Sequence, residues 1–252
     1  MSDSEKKLAV LIDADNVPHK NIKGILKEIT KYGSATFKRI YGDWTTQAMS
    51  GWKKKLLETA ITPIQQYSYT TGKNSTDSAL IIDAMDILYS GNVDGFCIVA
   101  SDSDYTRLAV RIREAGLLVY GFGERKTPEA FRVSCDKFTY LEIIDSSDSP
   151  ELTDTKATQQ ANSSESINPE LIELISSSVE DVADENGWAS LGAVGSHIQK
   201  KKPDFDPRNY GFSKLTPLIT NLNVFEIDRR RSKGSKADVI YIKTKVKVKQ
   251  KR

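Results

Sequence analysis

Over its first 145 residues the chain alternates six apolar, β-rich runs with segments of helical period, and this alternation constrains the fold more than any other feature. The runs are LAVLID (8–13), ATFKRIYGD (35–43), TPIQQYSY (62–69), GFCIVAS (95–101), LLVYGFG (117–123) and FTYLEII (138–144). Between them the pattern predicts helices near 17–31, 47–59, 76–90, 104–115 and 127–133. A strand, a crossover helix and a second strand make a parallel pair, and repeating the unit builds a parallel sheet covered by helices on both faces. The fold class is therefore α/β over residues 1–145.

Residues 146–166 hold one leucine as their only large apolar residue and are otherwise rich in Ser, Thr, Asp and Gln, which reads as a flexible linker. Three helices are expected next, at 168–186, in SLGAVGSHIQKK (190–201) and in NYGFSKLTPLITNL (209–222). Two strands, VFEID (224–228) and DVIYIKT (238–244), are joined by the basic turn RRRSKGSKA (229–237). Together they outline a small winged-helix domain over 167–243, followed by a basic tail, 244–252.

The net charge of +2 hides an asymmetry. Residues 1–145 carry 19 Lys/Arg and 19 Asp/Glu, the linker 1 and 4, and residues 167–252 carry 16 and 11. Residues 229–252 alone hold 11 Lys/Arg against one Asp. No apolar run of about 18 residues is present to span a bilayer, and MSDSEKK lacks the apolar core of a secretory signal, so the expectation is a cytoplasmic chain with no membrane association. Cys97 and Cys135 fit neither a disulfide framework nor a zinc spacing and read as buried thiols.

The first strand runs directly into Asp13 and Asp15. In open parallel sheets, ligands bind beyond the carboxyl ends of the strands, where the strand order reverses. Asp102 and Asp104, in IVASDSDY, stand at the equivalent end of strand four, and Asp77, in GKNSTDSAL, opens the helix after strand three. Singly, Asp77 and Asp102 could simply cap helices. Jointly, carboxylates gathered in one cleft repel each other unless a cation joins them, and an all-oxygen ligand set favours Mg2+ or Mn2+ over zinc. Such a cation activates water and neutralises charge on a phosphoryl oxygen, so phosphoryl chemistry is the leading inference. Asn16 either caps the first helix or orients a water; Lys73 and Asn74 either meet a phosphate or are solvated. Asp83, about 120° round the helix from Asp77, is expected to be a hydrogen-bonded structural acid, Asp86 to face solvent, and Asp43 to serve a turn.

VLIDADNV, YGDW, GKNSTDSALIIDAMD and VASDSDYTRLAVRIREAGLLVYGFG resemble the NYN domain, a PIN-like nuclease family whose bacterial members are often called LabA-like. The resemblance covers roughly residues 7–145. GWASLGAVGSHIQKKKPDFDPRNYGFSKLTPLI and the following hairpin resemble the OST-HTH, or LOTUS, domain, a winged-helix module associated with RNA. The resemblance implies a Rossmann-like, PIN-type sheet and a metal-dependent ribonuclease using Mg2+ or Mn2+. It implies that Asp13, Asp77, Asp102 and Asp104 are the catalytic, metal-holding acids, with Asn16 in the polar position that follows and Asp15 in a supporting role; Lys73 and Asn74, from their place just before Asp77, are the candidates for meeting substrate.

RNA is the expected partner. The basic hairpin and tail offer Arg229, Arg230, Arg231, Lys233, Lys236, Lys243, Lys245 and Lys247, and an extended KTKVKVK would align its lysines in one row suited to a phosphate backbone. A homodimer is left open. Neither His19 nor His197 is placed for a metal-free ribonuclease. Two rival readings stand beside the nuclease. One is a non-catalytic RNA-binding adaptor. The other is a haloacid-dehalogenase-type phosphatase with Asp13 as nucleophile and Asp15 as acid/base, although Val17 stands where a Thr is commoner.

Overall fold

The computed structural model describes residues 5–67, 75–145, 167–231 and 238–245. The chain divides into two compact units, Met1–Lys156 and Ala157–Arg252.

In the first unit, six parallel strands lie in the order β3-β2-β1-β4-β5-β6: β1 (Lys7–Asp13), β2 (Ser34–Gly42), β3 (Thr62–Gln65), β4 (Gly95–Val99), β5 (Leu118–Gly123) and β6 (Lys137–Tyr140). All five residues of β4 and the last six of β1 are buried, as central strands covered on both faces must be. Helices α1 (Ile22–Ile29), α2 (Trp52–Thr59), α3 (Ser75–Ser90), α4 (Thr106–Glu114) and α5 (Glu129–Ser134) supply the crossovers. The chain winds outward from β1 to β3 and then returns to pair β4 with β1, Ile12 beside Val99. The strand order therefore reverses between β1 and β4, and their carboxyl ends open one crevice. Near it, β5 runs so close that a Cβ on Gly123 would sit 2.5 Å from the Ala100 carbonyl oxygen, which glycine alone avoids.

The structure departs from the sequence pattern in places. FTYLEII is a strand only to Tyr140; Leu141–Asp145 form a short helix, α6. An apolar run does not reveal its own period, and tertiary packing decided this one: a Cβ on Gly24 of α1 would lie 2.6 Å from Ile144 Cγ2, so helix α6 seats Ile144 against a bare backbone. The first predicted helix splits into a 3-10 turn, His19–Asn21, and α1. The strand TPIQQYSY stops at Gln65. Cys97 and Cys135 are buried free thiols, and burial pushes both up, Cys135 to about 12.

The second unit packs α7 (Pro169–Val182), α8 (Leu191–Lys201) and α9 (Leu215–Leu222) with an antiparallel sheet ordered β7-β9-β8: β7 (Ala189–Ser190), β8 (Phe225–Arg231) and β9 (Asp238–Thr244). Asn168 caps α7 by accepting from Leu171 N at 2.9 Å, with proline in the first turn. The expected helix 209–222 breaks because a 3-10 turn, Pro207–Tyr210, ends on Gly211 at φ 83°, and α9 starts only at Leu215. Two-residue β7 was too short to read from sequence. Arg229–Arg231, expected in the turn, are paired residues of β8. Among the described residues, no helix is long and apolar enough to cross a membrane.

Candidate active site

Asp13 ends β1 and is fully buried, yet three donors reach it. The Asp15 backbone N–H donates to Oδ1 at 3.0 Å, Asn16 Nδ2 donates to Oδ2 at 2.6 Å, and the Tyr105 hydroxyl lies 3.0 Å from Oδ2. Burial pushes this carboxyl up to about 6; the bonds from Asn16 and Tyr105 oppose the rise, and the neighbouring charge of Asp77 adds to it.

Asp77 sits in the first turn of α3, half-buried. Its Oδ1 accepts from the Tyr105 hydroxyl at 2.6 Å. Its carboxyl is also held above its ordinary value, by burial first, against the Tyr105 bond, and then by the charges of Asp102, Asp104 and Asp15. Acids from β1, β4 and α3 thus share one electrostatic environment at the switch point.

Asp102 follows β4 and is occupied locally. Its Oδ1 accepts from Asp104 N at 3.1 Å, capping the 3-10 turn Ser103–Tyr105, and Ser103 Oγ lies 3.4 Å away. Asp102 therefore caps a turn, as one sequence reading had it, and its charge acts on Asp77. Asp15 and Asp104 are exposed. Among the described residues, no three His, Cys, Asp or Glu side chains are already arranged to hold a metal ion.

Asn16 does not cap the first helix: the turn after it starts at Pro18 with no side-chain cap, and the amide supports Asp13. Lys73 and Asn74 lie outside the described residues.

Tyr105 is the site residue that sequence reasoning passed over. Its side chain is fully buried at the end of SDSDY, where an aromatic after an acidic turn reads as ordinary core. The signal that could have found it is polar: a buried tyrosine hydroxyl must find a partner, and Asp102 and Asp104 mark the segment as part of the crevice.

Asp83 is the structural acid expected, accepting from Arg39 and from the Tyr41 hydroxyl. The Tyr41 hydroxyl is raised by its burial and by that carboxylate. Asp86 is exposed, and Asp43 organises its turn by accepting from Thr45 N at 3.2 Å and Gln65 Nε2 at 2.9 Å.

On the second unit, Arg229 and Arg231 are exposed, the latter 3.8 Å from Asp238. Arg230 is committed elsewhere: it bonds Asp228 at 2.8 Å and its guanidinium lies 4.3 Å from the Tyr241 ring centroid and 5.0 Å from that of Trp188. Lys243 stands on β9 opposite Glu226, and Lys245 folds back to donate to the Asn223 carbonyl at 3.0 Å. Lys233, Lys236 and Lys247 lie outside the described residues.

Residues 7–142 match the family model of the NYN domain, and residues 162–237 match that of the OST-HTH/LOTUS domain. No curated protein matches the chain. Among solved structures, a protein of unknown function from Vibrio parahaemolyticus is 19% identical, covering 55% of this chain and 94% of its own, with a TM-score of 0.47. An uncharacterised protein from Nitrosomonas europaea is 27% identical, covering 42% of this chain and 98% of its own, with a TM-score of 0.34. A Chromobacterium violaceum protein is 31% identical, covering 33% of this chain and 87% of its own, with a TM-score of 0.26.

Proposed function

The chain belongs to the NYN domain family and carries an OST-HTH/LOTUS domain behind it, and from that premise we propose that it is a metal-dependent ribonuclease that hydrolyses RNA phosphodiesters. The observation that carries the reading is the meeting of Asp13 and Asp77 at one hydroxyl beyond the carboxyl ends of the strands, with Asp102, Asp104 and Asp15 acting on the same charge.

The donor chemistry fits a hard divalent cation, since the acidic groups gathered there are all carboxylates, and two of them are raised by burial first and by the charge of neighbouring carboxylates after it. Asp13, Asp77, Asp102 and Asp104 would hold Mg2+ or Mn2+, which when bound supplies a more acidic water and charge neutralisation at phosphorus. The remaining work belongs to the chain. Asn16 and the Asp15 N–H fix the Asp13 carboxylate in one orientation. Asp102 Oδ1 accepts from Asp104 N, and its carboxylate has further lone pairs with which it would meet the cation. In the second unit Arg229 and Arg231, from one face of β8, would meet a phosphate backbone, with Lys243 on the opposite face of the sheet, and Lys73 and Asn74 keep the substrate role expected of them from sequence. We take the two units to be separate folding domains, with 146–166 as their linker, in a cytoplasmic protein.

The test is cleavage of end-labelled single-stranded RNA by the purified chain, with Mn2+, with Mg2+ and with EDTA, alongside Asp13→Asn, Asp77→Asn and Asp102→Asn. Cation-dependent cleavage lost in all three variants is the expected result. A second reading, an RNA-binding adaptor that does not cut, is favoured by one observation: no three acids are pre-arranged around a common point among the described residues. RNA binding without cleavage under every cation would select it. The NYN match supports the ribonuclease and adaptor readings over the phosphatase reading of Asp13 and Asp15.

A further inference from the structure

Tyr105 bridges two packed segments, β1 and α3, through its hydroxyl. Its Oη lies 3.0 Å from Asp13 Oδ2 on β1 and 2.6 Å from Asp77 Oδ1 on α3. The ring is fully buried, with Phe131 6.3 Å away at 53°, so the hydroxyl cannot swing aside. A hydroxyl has one proton to donate. Asp13 Oδ2, which also accepts from Asn16, and Asp77 Oδ1 are both within reach of that one hydrogen, so three oxygens from three elements share a single donor. We infer that Tyr105 is the positioning residue of the acidic crevice: its hydroxyl ties the Asp13 and Asp77 carboxylates together and sets the spacing at which they share a divalent cation. The inference rests on the metal-dependent reading of the site.

Outer groups that orient metal-holding carboxylates typically change affinity by about 10- to 100-fold when removed. Tyr41 provides the control, since it too is fully buried and its backbone pairs beside Asp13, yet it spends its hydroxyl on Asp83, which is not among the carboxylates proposed to hold the cation. Full-length protein, Tyr105→Phe and Tyr41→Phe are titrated with Mn2+ while free Mn2+ is followed by electron paramagnetic resonance, and folding is checked by circular dichroism in EDTA. The expected result is an Mn2+ Kd raised about 10-fold or more in Tyr105→Phe and held within about twofold of wild type in Tyr41→Phe. An unchanged Kd in Tyr105→Phe, or equal weakening in both variants, overturns the positioning role and leaves the nuclease reading standing. Absence of Mn2+ binding by the wild type overturns both. Should Tyr105→Phe fail to fold, wild-type protein carrying 13Cζ-tyrosine gives the answer: Mg2+ should shift a buried tyrosine resonance, and no shift refutes the role.

Discussion

Replacing Asp13 by Asn should make the first unit less stable in acid and more stable at neutral pH, because the structure buries a carboxyl that it does not neutralise. Burial raises this group from the ordinary 3.8 to about 6. At about 1.4 kcal/mol for each pH unit, the folded chain carries about 3 kcal/mol of unfavourable free energy once Asp13 ionises. The sign follows from the direction of the rise. Well below the ordinary 3.8 the group is protonated in folded and unfolded chains alike and its contribution to stability is fully present; that contribution is lost as pH climbs from there through 6. Asparagine does not titrate, so it escapes the loss. It does pay a constant penalty of about 1–3 kcal/mol, because its NH2 must face either the Asp15 N–H or the pair formed by Asn16 Nδ2 and the Tyr105 hydroxyl. The difference in unfolding free energy, variant minus wild type, should therefore rise by about 2.5 kcal/mol between pH 4 and pH 7.5, from about −0.5 to −2.5 kcal/mol to about 0 to +2. The assay is urea unfolding in EDTA followed by tryptophan fluorescence, in a Trp188→Phe background so that Trp44 and Trp52 report the first unit alone. A difference that stays the same at both pH values would refute the reasoning, since cavity and hydrogen-bond costs do not change with pH in this range.

Mn2+ or Mg2+ at about 100 times its Kd should stabilise the first unit by about 2.7 kcal/mol in thermal melts, and Ca2+ should bind without supporting cleavage; an unchanged melting curve counts against the site. Asp83→Ala should lower stability by about 1–3 kcal/mol, because the Tyr41 hydroxyl loses its acceptor, while leaving Mn2+ affinity as it was; urea unfolding and metal titration separate the two. Arg229→Ala should weaken RNA binding and reduce its salt slope by about 1, whereas Arg230→Ala should chiefly lower the melting temperature of the second unit, since its guanidinium is held by Asp228, Trp188 and Tyr241. Removing residues 246–252 tests the tail without cutting into β9, whose Lys243 and Thr244 pair with Glu226 and Phe225; a filter-binding salt series should show a shallower slope, and an unchanged one sinks the tail's part in binding.

The parallel α/β architecture, the position of Asp13, Asp77 and Asp102 at its carboxyl edge and the helical-plus-hairpin make-up of the second unit were legible in the sequence, because each rests on local periodicity and chain order. Alternating strand and helix patterns leave few ways to wind a sheet, and a right-handed crossover puts every strand end on one edge. The structural acid Asp83 was legible for the same reason, since helical spacing turns it away from Asp77. Boundaries were less so. FTYLEII contains no period that separates strand from helix, and its last residues became helix only because Gly24 leaves room on α1 for Ile144. The pairing that organises the crevice lay further out of reach. Asp13 and Tyr105 stand 92 residues apart and Tyr105 and Asp77 stand 28 apart, so nothing local records that one hydroxyl serves both carboxylates. Asn16 likewise looked like a cap until folding placed its amide on Asp13. Sequence by itself determined which groups could carry charge and on which edge of the sheet they would arrive. The tertiary structure alone decided which of them touch, because hydrogen bonds of 2.6–3.0 Å depend on side-chain packing between distant segments that no local pattern encodes.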